Sequence, residues 1–243
     1  ATGTFVEDSS SATISITIGQ IADWNLVGLP LVVSDNFYTA VFPDAIPGTL
    51  YSFDGTYFQT QELNHGTGYW LRFNDSGSTT LTGDPINTLT VGLATDWNLI
   101  SGITQSIDIS EVDDPDGILV PGTLYGFNGT YEQVSTLEPG KGYWLRTTAS
   151  GDIFISSSSR SMKVPFKNRM IGANTLEING MSLYFGKDIS DEEILSYSLP
   201  PKPPHGGFDA RFSGGWNFPA ESYVIEVAHS NQLLEIKYDI KAV

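Results

Sequence analysis

Asp23-Trp24-Asn25-Leu26-Val27 and Asp96-Trp97-Asn98-Leu99-Ile100 are two copies of one motif, set 73 residues apart from Trp24 to Trp97. Two more blocks recur in the same order at an offset of 74 residues. Pro47-Gly48-Thr49-Leu50-Tyr51 returns as Pro121-Gly122-Thr123-Leu124-Tyr125, and Gly66-Thr67-Gly68-Tyr69-Trp70-Leu71-Arg72 returns as Gly140-Lys141-Gly142-Tyr143-Trp144-Leu145-Arg146. Three matching blocks in one order mark a duplication, with one module over about residues 14–83 and its sibling over about 89–156. The chain therefore divides into a first module with its N-terminal strand (1–84), a second module (85–158) and a divergent third segment (159–243).

Within each copy, short runs rich in Thr, Val, Ile, Tyr and Trp are broken at roughly every eight to twelve residues by Gly, Pro, Asn or Asp. That pattern predicts an all-β fold of tandem small β-sandwich or β-barrel-like modules. From Thr13 to Ile18, Ile14, Ile16 and Ile18 alternate with Thr13, Ser15 and Thr17, as in a half-buried strand. Phe53-Asp54-Gly55-Thr56-Tyr57 and Phe127-Asn128-Gly129-Thr130-Tyr131 predict two-residue hairpin turns with positive φ at both central positions. The Gly-x-Gly before each Tyr-Trp predicts a sharp turn into a strand whose two aromatics point to opposite faces. One of each pair is then a candidate for exposure.

The last third carries another hairpin signal at Asn179-Gly180 and one short helical candidate between Asp188 and Ser198. Residues 199–207, Leu-Pro-Pro-Lys-Pro-Pro-His-Gly-Gly, cannot enter a sheet interior and predict an extended linker that covers or bridges surfaces. Residues 223–227 and 234–240 read as strands, the latter with Leu234, Ile236, Tyr238 and Ile240 on one face.

Hydrophobic residues make up 40% of the chain and 13 Phe, 11 Tyr and 5 Trp can fill a core, so the sequence encodes a folded protein. A net charge of −16 repels phosphate backbones and anionic lipid, which argues against nucleic-acid partners. No apolar run reaches membrane-spanning length, so no membrane insertion is expected. With no cysteine, disulfides, Cys-zinc sites and thiol nucleophiles are excluded. The stretch from Ala1 carries neither the basic nor the apolar part of an export signal. Either such a signal has been removed or the chain is not exported.

At Trp24-Asn25-Leu26-Val27-Gly28-Leu29-Pro30 and the Gly-x-Gly-Tyr-Trp-Leu motif, the sequence resembles a recurring module of large secreted proteins exported by the type IX route of Gram-negative bacteria. Leu183-Tyr184-Phe185-Gly186, the proline run and Phe208-Asp209-Ala210-Arg211-Phe212 resemble the segment that often precedes the C-terminal sorting domain in such proteins. The likeness spans about residues 14–212 and implies display at the cell surface or in its matrix. It implies no reaction, because these modules stand beside many functions. Two departures are visible: Ser101-Gly102-Ile103 replaces Gly28-Leu29-Pro30 in the second copy, and no sorting domain is recognisable.

Candidate sites are few. His65, His205 and His229 are isolated, and His65 falls where the second copy has Pro139. No Gly-x-Ser-x-Gly elbow or phosphate-binding loop occurs, so no enzyme is expected. Asp113, Asp114 and Asp116 offer closely spaced carboxylates to calcium, against the alternative of a solvated turn; no other cofactor is expected. Asn74 and Asn128 open glycosylation sequons, though turn geometry explains Asn128 equally well. Tyr69, Trp70, Tyr143 and Trp144 either form a platform on which sugar rings stack or fill the core of a small module. The functional expectation is a structural or adhesive surface protein, a subunit of an extracellular filament or layer, partnered by its own copies or by other surface proteins. The alternative is a carbohydrate-binding accessory region of a larger secreted hydrolase, with polysaccharide as partner.

Overall fold

The structure, a computed structural model, describes residues 12–158, 166–220, 222–228 and 233–241; His229 lies outside them. The first module runs β1 (Ile14–Gln20), β2 (Asp23–Val27), β3 (Leu31–Val32), the one-turn helix α1 (Tyr38–Val41), β4 (Tyr51–Phe53), β5 (Tyr57–Gln59), β6 (Tyr69–Phe73) and β7 (Gly77–Pro85). The second repeats the plan with β8 (Thr88–Leu93), β9 (Asp96–Ser101), β10 (Ile107–Asp108), β11 (Tyr125–Phe127), β12 (Tyr131–Gln133), β13 (Thr136–Leu137), β14 (Gly142–Thr147) and β15 (Gly151–Ser156). The third segment supplies β16 (Asn174–Ile178), β17 (Met181–Phe185), a 3-10 turn at Ile194–Tyr197, β18 (Asp209–Phe212), β19 (Ile225–Ala228) and β20 (Ile236–Asp239). The protein is all-β and sandwich-like, as the strand pattern predicts.

Each module closes on itself by pairing its first and last strands. Ile14 lies opposite Gly83 in β1–β7, and Thr88 lies opposite Ser156 in β8–β15. The outer face of β1 carries hydroxyl pairs, Ser15 with Thr82 at 2.8 Å and Thr17 with Thr80 at 3.0 Å, while Ile14, Ile16 and Ile18 pack inward. Facing each pair is a four-stranded antiparallel sheet, ordered β2-β6-β4-β5 in the first module and β9-β14-β11-β12 in the second.

Those inner sheets are covered on both sides, and this corrects the expected exposure of one aromatic. Tyr69, Leu71 and Phe73 of β6 enter the first module's own core, whereas Trp70 enters a second core shared by both modules and the third segment. Tyr143, Leu145 and Trp144 of β14 divide in the same way. A period-two strand between two apolar layers is buried on both faces.

The repeated Asp-Trp-Asn triplet builds its own corner. Asp23 and Asp96 adopt φ of 72° and 77°, a left-handed conformation that aspartate tolerates better than most residues. Asn25 spans that corner, its Oδ1 accepting from the Ile21 N–H and its Nδ2 donating to the Ile21 and Asp23 carbonyls; Asn98 repeats the bonds with Ala94 and Asp96. Arg72 then pairs with Asp23 and lies 5.8 Å over the Trp24 ring, and Arg146 pairs with Asp96 and lies 5.8 Å over Trp97.

The Asp54-Gly55 and Asn128-Gly129 hairpins differ from expectation. Phe53 pairs with Tyr57 and Phe127 with Tyr131, leaving three-residue loops in which glycine alone, at φ 69° and 85°, is left-handed. This loop length needs a single left-handed residue before the strand resumes. Asn179-Gly180 does form the two-residue turn, with φ of 48° and 88° between the paired Ile178 and Met181.

Candidate functional site

The two modules meet across an approximate two-fold axis. Val27 bridges to Lys141 and Thr67 to Ile100, with Gly28 N–H donating to the Gly140 carbonyl at 3.0 Å and Gly68 N–H to the Leu99 carbonyl at 2.9 Å. Gly28 and its counterpart Ser101 face each other there; a Cβ on Gly28 would sit 2.3 Å from that of Ser101. The second glycine of each Gly-x-Gly serves the same approach. A Cβ on Gly68 would stand 2.4 Å from the Ile100 oxygen, and one on Gly142 would stand 2.7 Å from the Val27 oxygen.

Around this axis the duplicated aromatics exchange partners. Phe53 of the first module meets Trp144 edge-on at 4.8 Å, and Phe127 of the second meets Trp70 at 4.7 Å. Tyr57 lies 6.3 Å from Trp144 while Tyr131 lies 6.2 Å from Trp70. Nearly every such pair is T-shaped, the arrangement that the ring quadrupole favours. Each ring removes about 150–250 Å² from water, on the order of 4–6 kcal/mol of transfer free energy at ~25 cal/mol per Å².

Over the open side of this box runs the proline-rich segment. Tyr57 and Tyr131, equivalent in the repeat, donate to consecutive carbonyls of Lys202 at 2.8 Å and Pro201 at 2.6 Å, and Trp24 Nε1 donates to the His205 carbonyl at 3.3 Å. Trp70 Nε1 donates to the Tyr57 hydroxyl at 3.2 Å. Beneath the strap lies a buried ion pair: Arg211 binds Asp209 through Nε at 2.6 Å and Nη2 at 2.5 Å, and its Nη1 donates to the Pro200 carbonyl at 2.7 Å. Both side chains are at most 5% exposed. One duplicated face is thus closed by one unduplicated strap, held by polar groups aimed at its carbonyls.

Burial raises the Tyr57 hydroxyl well above the usual phenol range, although its bonds to Trp70 and Tyr131 partly oppose the rise. Burial likewise lifts Tyr125, Tyr131 and Tyr143. A raised native pKa means that the folded protein keeps protons which the unfolded chain releases near pH ~10. Stability from these groups is therefore complete below that pH and falls as pH climbs above it. In an alkaline titration, the part of the tyrosinate absorbance that belongs to these four buried tyrosines should appear together with loss of the β circular-dichroism signal; their ionisation in a protein that keeps its β signal would contradict the burial.

The residues singled out in the sequence fall as follows. Trp70 and Trp144 are 0% exposed, with Tyr69 at 1% and Tyr143 at 4%, so none has an open ring face on which a sugar can stack. They are core, because Trp70 and Trp144 pack edge-on against aromatics of the other module inside a cluster that both modules share with the third segment. Asp113 pairs by backbone with Phe154, and Asp114 accepts the Ile118 and Leu119 N–H groups on its two carboxylate oxygens at 2.9 and 3.1 Å. Asp113 and Asp116 are exposed in this turn, and among the described residues no group of three or more His, Asp or Glu is arranged to hold a metal. The carboxylates suited to calcium are organised as a turn, because Asp114 caps the amides that follow it. His65 meets the Leu31 carbonyl at 3.1 Å. Asn74 and Asn128 are exposed.

Two clefts flank the axis as counterparts. One, of about 310 Å³, lies between Asp54, His65, Thr67 and Asn98; the other, of about 600 Å³, lies between Asn25, Asn128, Glu138 and Lys141. Both are open grooves along the seam. Lys141 spans the second, donating to the Gly19 carbonyl at 2.5 Å, and burial lowers its pKa. Among the described residues no helix is long and apolar enough to cross a membrane.

Sequence reasoning placed the strap over a surface but missed what it is fastened to. The signal was present in the equivalence of Tyr57 and Tyr131 and in Asp209-Ala210-Arg211-Phe212, an alternation of charged and apolar residues inside an otherwise apolar stretch. The fold and site define a duplicated β-sandwich protein sealed by its own C-terminal segment. No protein-family model, curated protein or solved structure matches the chain significantly.

Proposed function

We propose that this protein is a non-catalytic structural module displayed outside the cell, which works by presenting a rigid surface to its own copies or to other surface proteins. The observation that carries the reading is the closed aromatic box: the largest rings of both modules and the buried Arg211–Asp209 pair are used to fasten three segments together. Such a body transmits force and holds spacing, since a core spanning both repeats prevents them from moving independently. Extracellular display rests on the resemblance of the repeated motif and of the proline-rich segment to those of type IX-exported proteins. The acidic surface is consistent with it, keeping a displayed protein soluble. The carbohydrate-binding alternative loses its support with the burial of Trp70 and Trp144.

Immunogold labelling of intact source cells with an antibody against the purified protein tests this. Label on the outer surface or in the matrix is the expected result. Label confined to the cell interior, or a hydrolytic activity in the purified chain, would overturn the proposal.

A further inference from the structure

Open apolar surface among the described residues gathers near the C-terminal strands. Tyr223, Val224, Leu233, Ile236, Tyr238 and Ile240 are each more than half exposed. β20 is the last strand of the sheet β17-β16-β20; Tyr238 lies opposite Leu176 and Ile236 opposite Ile178, both part of the shared core. The apolar face of that sheet therefore runs on past its cover to an edge. A flat apolar edge with backbone groups open on one side is a template for another strand.

We propose that β20 pairs antiparallel with β20 of a second copy, about a two-fold axis through Tyr238. The alternation of residues selects this occupant. Glu235, Lys237, Asp239 and Lys241 share the face opposite to Ile236, Tyr238 and Ile240, and they alternate in sign. With Tyr238 opposite Tyr238, each charge meets its complement: Glu235 faces the second copy's Lys241, and Lys237 faces its Asp239. On the other face Ile236 meets Ile240. Shifting the axis by one residue, to Lys237 or Asp239, sets Lys against Lys or Asp against Asp. A strand that is its own charge complement in one register favours its own copy over an unrelated edge. The product is one continuous six-stranded sheet, β17-β16-β20 and its symmetry mate.

This inference names the partner left open by the structural reading and rests on that reading for assembly being the protein's task. The dimer itself is tested on purified protein, so it stands or falls separately from the surface labelling. A single-strand seam is smaller than a standard interface of about 1,600 Å², so a weak dimer is expected. Sedimentation equilibrium from micromolar to millimolar protein should show it, and Asp239→Lys should weaken it about tenfold by opposing like charges twice. The chain has no cysteine, which makes register directly readable. Antiparallel neighbours lie about 4.5–5.5 Å apart at Cα, within disulfide reach. Under mild oxidation Tyr238→Cys should cross-link with itself. Ile236→Cys and Ile240→Cys should each fail alone and cross-link when mixed. A wild-type monomer at millimolar concentration, or Ile236→Cys cross-linking with itself as fast as Tyr238→Cys, would overturn the proposal. All of these positions are exposed, and an unchanged thermal melt establishes that each variant folds.

Discussion

Arg211→Met is expected to destabilise the protein by about 3–5 kcal/mol, because it leaves the Asp209 carboxylate buried with no cation to compensate it. Asp209 and Arg211 have side chains only 1% and 5% exposed, and the guanidinium also holds the Pro200 carbonyl at the start of the strap. Removing it therefore strands a charge and frees the strap together. The double variant Asp209→Leu/Arg211→Met should recover much of the loss, since two apolar side chains demand no desolvated partner. Urea unfolding checks both; a single variant within about 1 kcal/mol of wild type would show that the pair is not buried as described. Against a typical total of about 5–15 kcal/mol the expected loss is large.

Trp70→Ala and Trp144→Ala are each expected to cost about 3–5 kcal/mol, by lost burial and by the cavity left between the modules. Their Phe variants should differ. Trp70 Nε1 donates to Tyr57, whereas Trp144 Nε1 is buried without a partner among the described residues. Trp70→Phe therefore loses a hydrogen bond, and Trp144→Phe removes an unsatisfied donor. The first should be less stable than the second by about 1 kcal/mol or more. Equal midpoints in urea for the two Phe variants would count against the hydrogen-bond asymmetry of the box.

That asymmetry also marks where sequence reasoning reaches its limit. The repeat made Trp70 and Trp144 equivalent, and by sequence they remain so. One strap crossing the axis cannot treat both alike, because Tyr57 and Tyr131 must reach different carbonyls of the same segment. Gly68 and Gly142 were legible as turn residues, yet their surroundings are set by the other module's backbone at Ile100 and Val27. The Asp54-Gly55 and Asn128-Gly129 hairpins were legible as turns but not in length, since strand register counts the loop residues.

By itself the sequence determined the duplication, the all-β class, the alternation of β1 and the presence of a hairpin turn at Asn179-Gly180. These follow from local spacing, which neighbouring residues impose on each other whatever lies beyond them. Only the tertiary structure decided that Tyr69 and Trp70 are both interior, that Asp114 serves a turn, and that Arg211 anchors the strap. Burial on a second face depends on what arrives from far along the chain, here Phe53 against Trp144 and Phe127 against Trp70, with Leu199, Ala210 and Phe212 joining the same core, and no local pattern records that arrival.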